Sequence, residues 1–136
     1  MDVKELIRTA FAAKEKAYTP YSNFKVGAAV LAEDGNIYTG CNIEIASFGP
    51  TLCGERTAIF KAVSEGNRKI KALALVGDAE STYPCGVCRQ VMREFGKDMT
   101  IIIAKSEEEY MEYSLEELLP HSFGPEDLDR KDENNV

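Results

Sequence analysis

The tightest constraint on this chain is a pair of nearly unbroken apolar runs, Ile70 to Val76 and Met99 to Ala104, the second containing the strongly β-prone Thr100-Ile101-Ile102-Ile103. A strand with one wet face alternates apolar and polar residues, so a run that is apolar throughout belongs where both faces are covered. Helices must therefore lie on both sides of a sheet. The stretch between the runs supplies one, because Cys85 to Phe95 fits a helix closed by Gly96. Upstream, Lys25 to Ala32 and Asn36 to Cys41 are β-rich, and Asp34-Gly35 between them suits a tight hairpin turn. Cys53 to Glu65 is rich in helix formers and ends at Gly66. Val3, Leu6, Ile7, Ala10, Phe11, Ala17 and Tyr18 recur at intervals that predict an opening helix with one buried face, stopped at Thr19-Pro20.

Strand, helix, strand, helix, strand implies right-handed crossovers onto a largely parallel sheet, with the hairpin at one side. The expected fold is α/β: a three-layer helix/sheet/helix sandwich around a mixed sheet of about five strands. With 136 residues there is material for one core and too little for two ordinary domains, so 1–136 reads as a single domain. The tail is expected to hold a short helix, Leu115 to Leu119, then a loop to Leu128 and a charged end, 129–136, that frays.

Charge and hydropathy exclude several functions. Sixteen basic against twenty-three acidic residues give a formal charge of -7, and no stripe of Lys and Arg is available to track a phosphate backbone. No apolar run approaches the roughly 20 residues that cross a bilayer. The opening segment lacks the apolar core and small-residue cleavage pattern of a leader, which predicts an intracellular, cytoplasmic protein.

Four cysteines are too few and too irregularly spaced for a disulfide scaffold. Cys85 and Cys88 stand three apart at a helix start, which places both sulfurs on one face. Two thiolates on one tetrahedral zinc lie roughly 3.8 Å apart, within reach of that spacing. Pro84 presets the helix entry, and the free N–H groups and positive dipole end of a first turn favour thiolate. Cys53 begins the preceding helix, so in such an alternation both helix starts open on the same sheet edge and three sulfurs can converge. Glu55 follows two residues later. A thioredoxin-like redox pair is the alternative for Cys85 and Cys88, and a closed structural zinc with Cys41 as fourth ligand is the alternative for the set. Glu55 could then simply complement the helix dipole.

Cys53-Gly54-Glu55 with Pro84-Cys85-Gly86-Val87-Cys88 has the Cys-x-Glu and Pro-Cys-x-x-Cys pattern of the zinc-dependent nucleoside and nucleobase deaminases. The chain as a whole resembles the small homotetrameric cytidine deaminases. Pro20-Tyr21-Ser22-Asn23-Phe24, Gly40-Cys41-Asn42-Ile43-Glu44, Arg56-Thr57-Ala58, Arg89-Gln90 and Ser122-Phe123-Gly124 extend the match through the tail. The resemblance implies a cytidine deaminase-like fold and one Zn2+ per subunit, held by Cys53, Cys85 and Cys88. It makes Glu55 the proton shuttle in conversion of cytidine and 2'-deoxycytidine to uridine and 2'-deoxyuridine, a hydrolysis that serves pyrimidine salvage. It also assigns the ribose 3'-hydroxyl to Asn42 and Glu44, the base face to Phe24, and base-edge contacts to the Gly54 N–H and the Tyr83 carbonyl. Phe123 is expected to complete a neighbour's pocket in a homotetramer with shared active sites. The partners implied are a small nucleoside and further copies of the chain, with no nucleic acid and no membrane. His121, the only histidine, reads as an ordinary loop residue.

Arg56 has two physical readings, a partner that draws charge from the thiolates and, more plainly, half of a surface salt bridge. Three thiolates on a dication leave a net charge near -1, which weakens the metal as a Lewis acid. Arg56 lies three residues after Cys53 on the same helical face, where its donors can withdraw charge from a sulfur. Three positions depart from the family pattern: Ile45, where many relatives carry Asn; Phe48, where many carry Tyr; and Gly54, where many carry Ala. If Phe48 lies beside the sugar, its missing hydroxyl removes a hydrogen bond of about 1 kcal/mol. Deamination of another small aminopyrimidine nucleoside, and a non-enzymatic structural-zinc module for protein interaction, are the competing functions.

Overall fold

In a computed structural model of the protein the described residues are 1–128; the charged end at 129–136, expected to fray, lies outside them. Helix α1 (Val3–Lys14) is followed by strands β1 (Val26–Ala32) and β2 (Ile37–Cys41), helix α2 (Gly54–Ser64) and strand β3 (Ile70–Gly77). Helix α3 (Gly86–Phe95), strands β4 (Thr100–Ala104) and β5 (Tyr110–Ser114), helix α4 (Leu115–Leu118) and a 3-10 turn at Pro125–Asp127 complete the order. The five strands form one sheet in the order β2-β1-β3-β4-β5.

The three layers follow from strand alternation. On β3, Ala72, Ala74 and Val76 face α1, where they pack with Leu6, Ile7 and Ala10. Leu73 and Leu75 face the other way and join Ala58, Ile59, Cys88 and Met92 of α2 and α3. Successive strand residues point to opposite faces, so one apolar run feeds both cores. The α1 side is built from small residues, and a side chain at Gly27 would collide with the backbone of α1, so the helix lies close to the sheet.

The expected largely parallel sheet needs correction. Among the described residues only the β3–β4 ladder is parallel; β1 runs antiparallel to both β2 and β3, and β5 antiparallel to β4. The hairpin inserts its first strand into the sheet because Val26–Ala32 is apolar nearly throughout, whereas Ile37–Cys41 is half-buried and suits an edge. Two antiparallel steps still leave β2 pointing the same way as β3. The helices that follow them, α2 and α3, therefore begin at one edge of the sheet, as expected.

Two further differences concern element ends. The opening helix stops at Lys14 rather than running to Tyr18, because Tyr18 is drawn into a bridge with Ile43: its N–H donates to the Asn42 carbonyl at 3.0 Å and its carbonyl accepts from Glu44 N–H at 2.9 Å. Strand β5 was not expected from Tyr110–Ser114, whose exposed Glu112 and preceding acidic run disguise an edge strand. Among the described residues, no helix is long and apolar enough to cross a membrane.

Candidate active site

Helices α2 and α3 both start on a cysteine in extended conformation, Cys53 and Cys85, and neither side chain makes a capping hydrogen bond. Cys88 follows one turn into α3 and is buried, Cys53 is half-buried and Cys85 is exposed. Their three sulfurs lie within 4.8 Å of one another. Zinc–sulfur bonds of about 2.3 Å require separations of this order, so the donor set fits a zinc ion without rearranging either helix. Close packing seats α2 on the sheet: a side chain on Gly40 of β2 would collide with the backbone of α2 near Ala58, and only glycine allows that approach.

The electrostatics suit a metal that binds thiolate. The Cys53 thiol is lowered to about 5, first by the hydrogen bond from Cys88 and then, against the cost of burial, by Arg56. Cys88 is pushed up, because it is the donor to Cys53 and is itself buried. A cation entering the cluster would displace that remaining proton. Arg56 Nη2 lies 3.5 Å from the Cys53 sulfur, where the helical spacing placed it, while its buried Nε has no partner in the structure.

Glu55 occupies the first turn of α2 and is only 4% exposed. Burial is the main reason its carboxyl is pushed up to about 7, assisted by the charge on Cys53. A buried acid poised near neutrality can both accept and return a proton, which a surface acid at a helix start does not need to do. Among the described residues the metal-ligating cluster comprises Cys53, Cys85 and Cys88. Cys41 stands outside it, paired with Gly27 at the end of β2. The four-sulfur alternative is thus not favoured. His121 also stays apart, with its N–H donating to Glu116 at 3.2 Å.

Asn42 and Glu44 lie in the segment pinned by Tyr18. The Asn42 side-chain oxygen accepts from Val26 N–H at 2.9 Å, and Nδ2 donates to the Phe24 carbonyl at 2.8 Å. Glu44 Oε1 accepts from the N–H groups of Tyr21 and Ser22 at 3.1 and 3.0 Å, and Oε2 accepts from the Ser22 hydroxyl. These bonds hold the Glu44 carboxyl below its ordinary range, the Ser22 hydroxyl contributing most. Ser22 is the residue that sequence reasoning missed: it lies in the quoted Pro20–Phe24 motif, but nothing local links it to a carboxylate 22 positions away.

A cleft of about 350 Å3 opens beside this carboxylate, lined by Tyr21, Ser22, Glu44, Phe48 and Thr51. Phe48 is exposed, adopts φ of 65°, and sets its ring edge-on to Tyr21 at 6.0 Å. Turn bonds from Phe48 N–H to Ile45 and from Thr51 N–H to Phe48 hold that left-handed conformation, which costs a bulky residue about 1 kcal/mol or more. Phe24 is 37% exposed. Tyr83 shares a 2.7 Å hydrogen bond between its hydroxyl and that of Tyr113, and Phe123, also exposed, accepts at its carbonyl from Gln90. An added methyl on Gly54 would meet Val26 Cγ1 at 3.2 Å, so alanine fits there only with a small shift of that side chain. A larger cleft, about 580 Å3, sits at the far end of α3 among Arg68, Lys69, Arg93, Lys97 and Glu126, away from the sulfurs.

Comparison with known proteins points to one family. The family model described as the cytidine and deoxycytidylate deaminase zinc-binding region matches residues 1–105. Cytidine deaminase of Sporosarcina psychrophila is 52% identical over 94% of this chain and 96% of its own length. That of Halalkalibacterium halodurans is 48% identical over 94% and 98%. The crystal structure of cytidine deaminase from Burkholderia pseudomallei superposes with a TM-score of 0.82 at 46% identity, covering 88% of this chain and 97% of that one. The chain belongs to the cytidine and deoxycytidylate deaminase family. It is a hydrolytic deaminase whose cofactor is zinc.

Proposed function

We propose that the chain converts cytidine and 2'-deoxycytidine to uridine and 2'-deoxyuridine with release of ammonia, and serves pyrimidine salvage in the cytoplasm. The observation that carries this is the convergence of three sulfurs with a buried, near-neutral carboxyl at one shared edge of two helix starts. Cys53, Cys85 and Cys88 would hold the zinc, which supplies a Lewis acid able to lower the pKa of a coordinated water towards 7.

Glu55 moves the protons. It takes one from the attacking water and delivers it to N3 of the pyrimidine as C4 is attacked, then takes the second from the new C4 hydroxyl, which becomes the carbonyl, and passes it to the departing amine, which leaves as ammonia. The Gly54 N–H, in the first turn of α2 where no intrahelical acceptor exists, donates to the base carbonyl. The Tyr83 carbonyl accepts from the amino group, and Phe24 packs on the ring. Arg56 withdraws charge from Cys53 and so keeps the metal electrophilic.

Asn42 and Glu44 hold the ribose 3'-hydroxyl. Three donors occupy three of the roughly four acceptor positions on Glu44, so one stays available to a sugar. Phe48 flanks that position without a hydroxyl to offer, which predicts more tolerance for an altered ribose than a tyrosine would give. Exposed Phe123 completes the pocket of a neighbouring subunit in a homotetramer.

The test is to incubate the purified protein with cytidine or 2'-deoxycytidine and follow loss of the cytosine absorbance, with Glu55→Ala as control. Turnover of both substrates is expected. The control should fall by a factor on the order of 10² to 10⁴ while keeping its zinc. Full turnover by Glu55→Ala would overturn the proton assignment.

A further inference from the structure

Arg89 and Gln90 follow the second sulfur of α3 directly, and both reach the tail. Arg89 Nε donates to the carbonyl of Pro84 at 2.8 Å, and its Nη1 donates to the carbonyl of Leu118 at 2.6 Å. Gln90 Nε2 donates to the carbonyl of Phe123 at 2.8 Å. Only the arginine touches the residue that precedes a sulfur donor.

That residue is buried at the end of an irregular connection. Residues 78–85 run from β3 to α3 without regular structure, and Cys85 at their end is exposed and makes no side-chain cap. Pro84 has no N–H, so its carbonyl is the sole backbone group through which a hydrogen bond can fix it. Leu118 at the other end closes α4, and last-turn carbonyls of a helix need partners from outside it. Helix α4 is itself anchored by buried Leu115 and by the capping box of Ser114 with Glu117. One planar fork of donors therefore bridges an irregular, ligand-bearing loop and an element fixed to the core, at a separation that a single ammonium cannot reproduce.

We infer that Arg89 is a positioning residue for the metal centre, holding the Pro84–Cys85 backbone so that the Cys85 sulfur stays within reach of Cys53 and Cys88. The inference rests on the three-cysteine zinc site proposed above. It separates Arg89 from Gln90, which binds the tail without touching the ligand loop. Outer groups that orient metal ligands typically account for a 10- to 100-fold difference in metal affinity.

The test compares Arg89→Gln, Arg89→Lys and Gln90→Ala in the purified, zinc-loaded protein. Zinc transfer to a chromogenic chelator gives the release rate, and the visible absorption of the cobalt-substituted protein reports ligand geometry. Arg89→Gln is expected to release zinc about 10- to 100-fold faster than wild type and to shift the cobalt bands, with Arg89→Lys changed in the same sense but less. Gln90→Ala should match wild type on both measurements. A general packing role would lower the melting temperature and leave the cobalt spectrum alone. Wild-type release and spectrum in Arg89→Gln overturn the inference, as does equal acceleration in Gln90→Ala. Should Arg89→Gln fail to fold, the same two measurements on Arg89→Lys decide, and wild-type behaviour there overturns it. A wild-type protein that binds no zinc would sink the metal site and this inference together; a zinc-replete wild type beside an unaltered Arg89→Gln sinks the inference alone.

Discussion

The four α-helices among the described residues begin in two different ways. At α1, Asp2 accepts from the N–H of Glu5, and at α4, Ser114 and Glu117 form a reciprocal capping box. At α2 and α3, the capping position is a cysteine whose side chain makes no capping hydrogen bond. A good cap contributes about 1 kcal/mol by satisfying one orphan N–H. The chain forgoes that contribution at the two helix starts where sulfurs converge, and there the free N–H groups and positive dipole ends favour thiolate and remain available to a substrate. Capping chemistry thus separates helices that need only be stable from helices whose ends are used.

Replacing Cys53 with Ser should break the contrast most severely, because serine is a better cap and a worse zinc ligand. Zinc content and turnover are expected to be lost almost completely, while thermal melting of the metal-free protein holds steady or rises. A variant that kept one zinc per chain would end the argument for a cysteine cap as a ligand. Arg56→Gln should come next. Without its positive charge beside the Cys53 sulfur, kcat is expected to fall about 10- to 100-fold and zinc to leave faster. Unchanged kcat and zinc release would reduce Arg56 to a cation on the helix surface.

Ser22→Ala tests the ribose side of the cleft and should have a smaller effect. KM is expected to rise several-fold with kcat nearly unchanged, since the hydroxyl orients Glu44 rather than the reacting carbon. The sign in pH follows from the same bond. The Ser22 hydroxyl holds the Glu44 carboxyl below its ordinary range, so removing it moves protonation to higher pH. The rise in KM on acidification should therefore begin at a higher pH in the variant, and superimposable KM profiles would contradict the role. Ser114→Ala sharpens the comparison from the conventional side. It should destabilise the protein by about 1 kcal/mol, lowering Tm by a few degrees, with turnover unaltered.

Much of the site was legible because its spacing is local. Cys85 and Cys88 three apart, Arg56 three after Cys53, and Glu55 in the first turn are relations that a helix imposes on its own residues. The strand positions of Ile70–Gly77 and Thr100–Ala104 were legible for a related reason: burial on both faces writes itself as an unbroken apolar run. The sheet direction was not. The apolar run of β1 suits an interior place, but that it pairs with β3 there, and antiparallel to it, has no local signature. Strand β5 was hidden because an edge strand tolerates charge on its open side. Tyr18 fits the helical period of α1 equally well, yet pairing with Ile43 outweighed one more helical turn.

The amino-acid sequence by itself determined which chemistry is present: thiols at two helix starts, a carboxyl and a guanidinium one turn away, and apolar strands to hang them on. Only the tertiary structure decided that the sulfurs meet, that Cys41 stands aside, that Ser22 grips Glu44 across the chain, and that burial lifts Glu55 towards neutrality. The physical reason is range. Helical spacing and capping act over a few residues, whereas strand order, ligand convergence and desolvation depend on groups that sequence keeps apart and packing brings together.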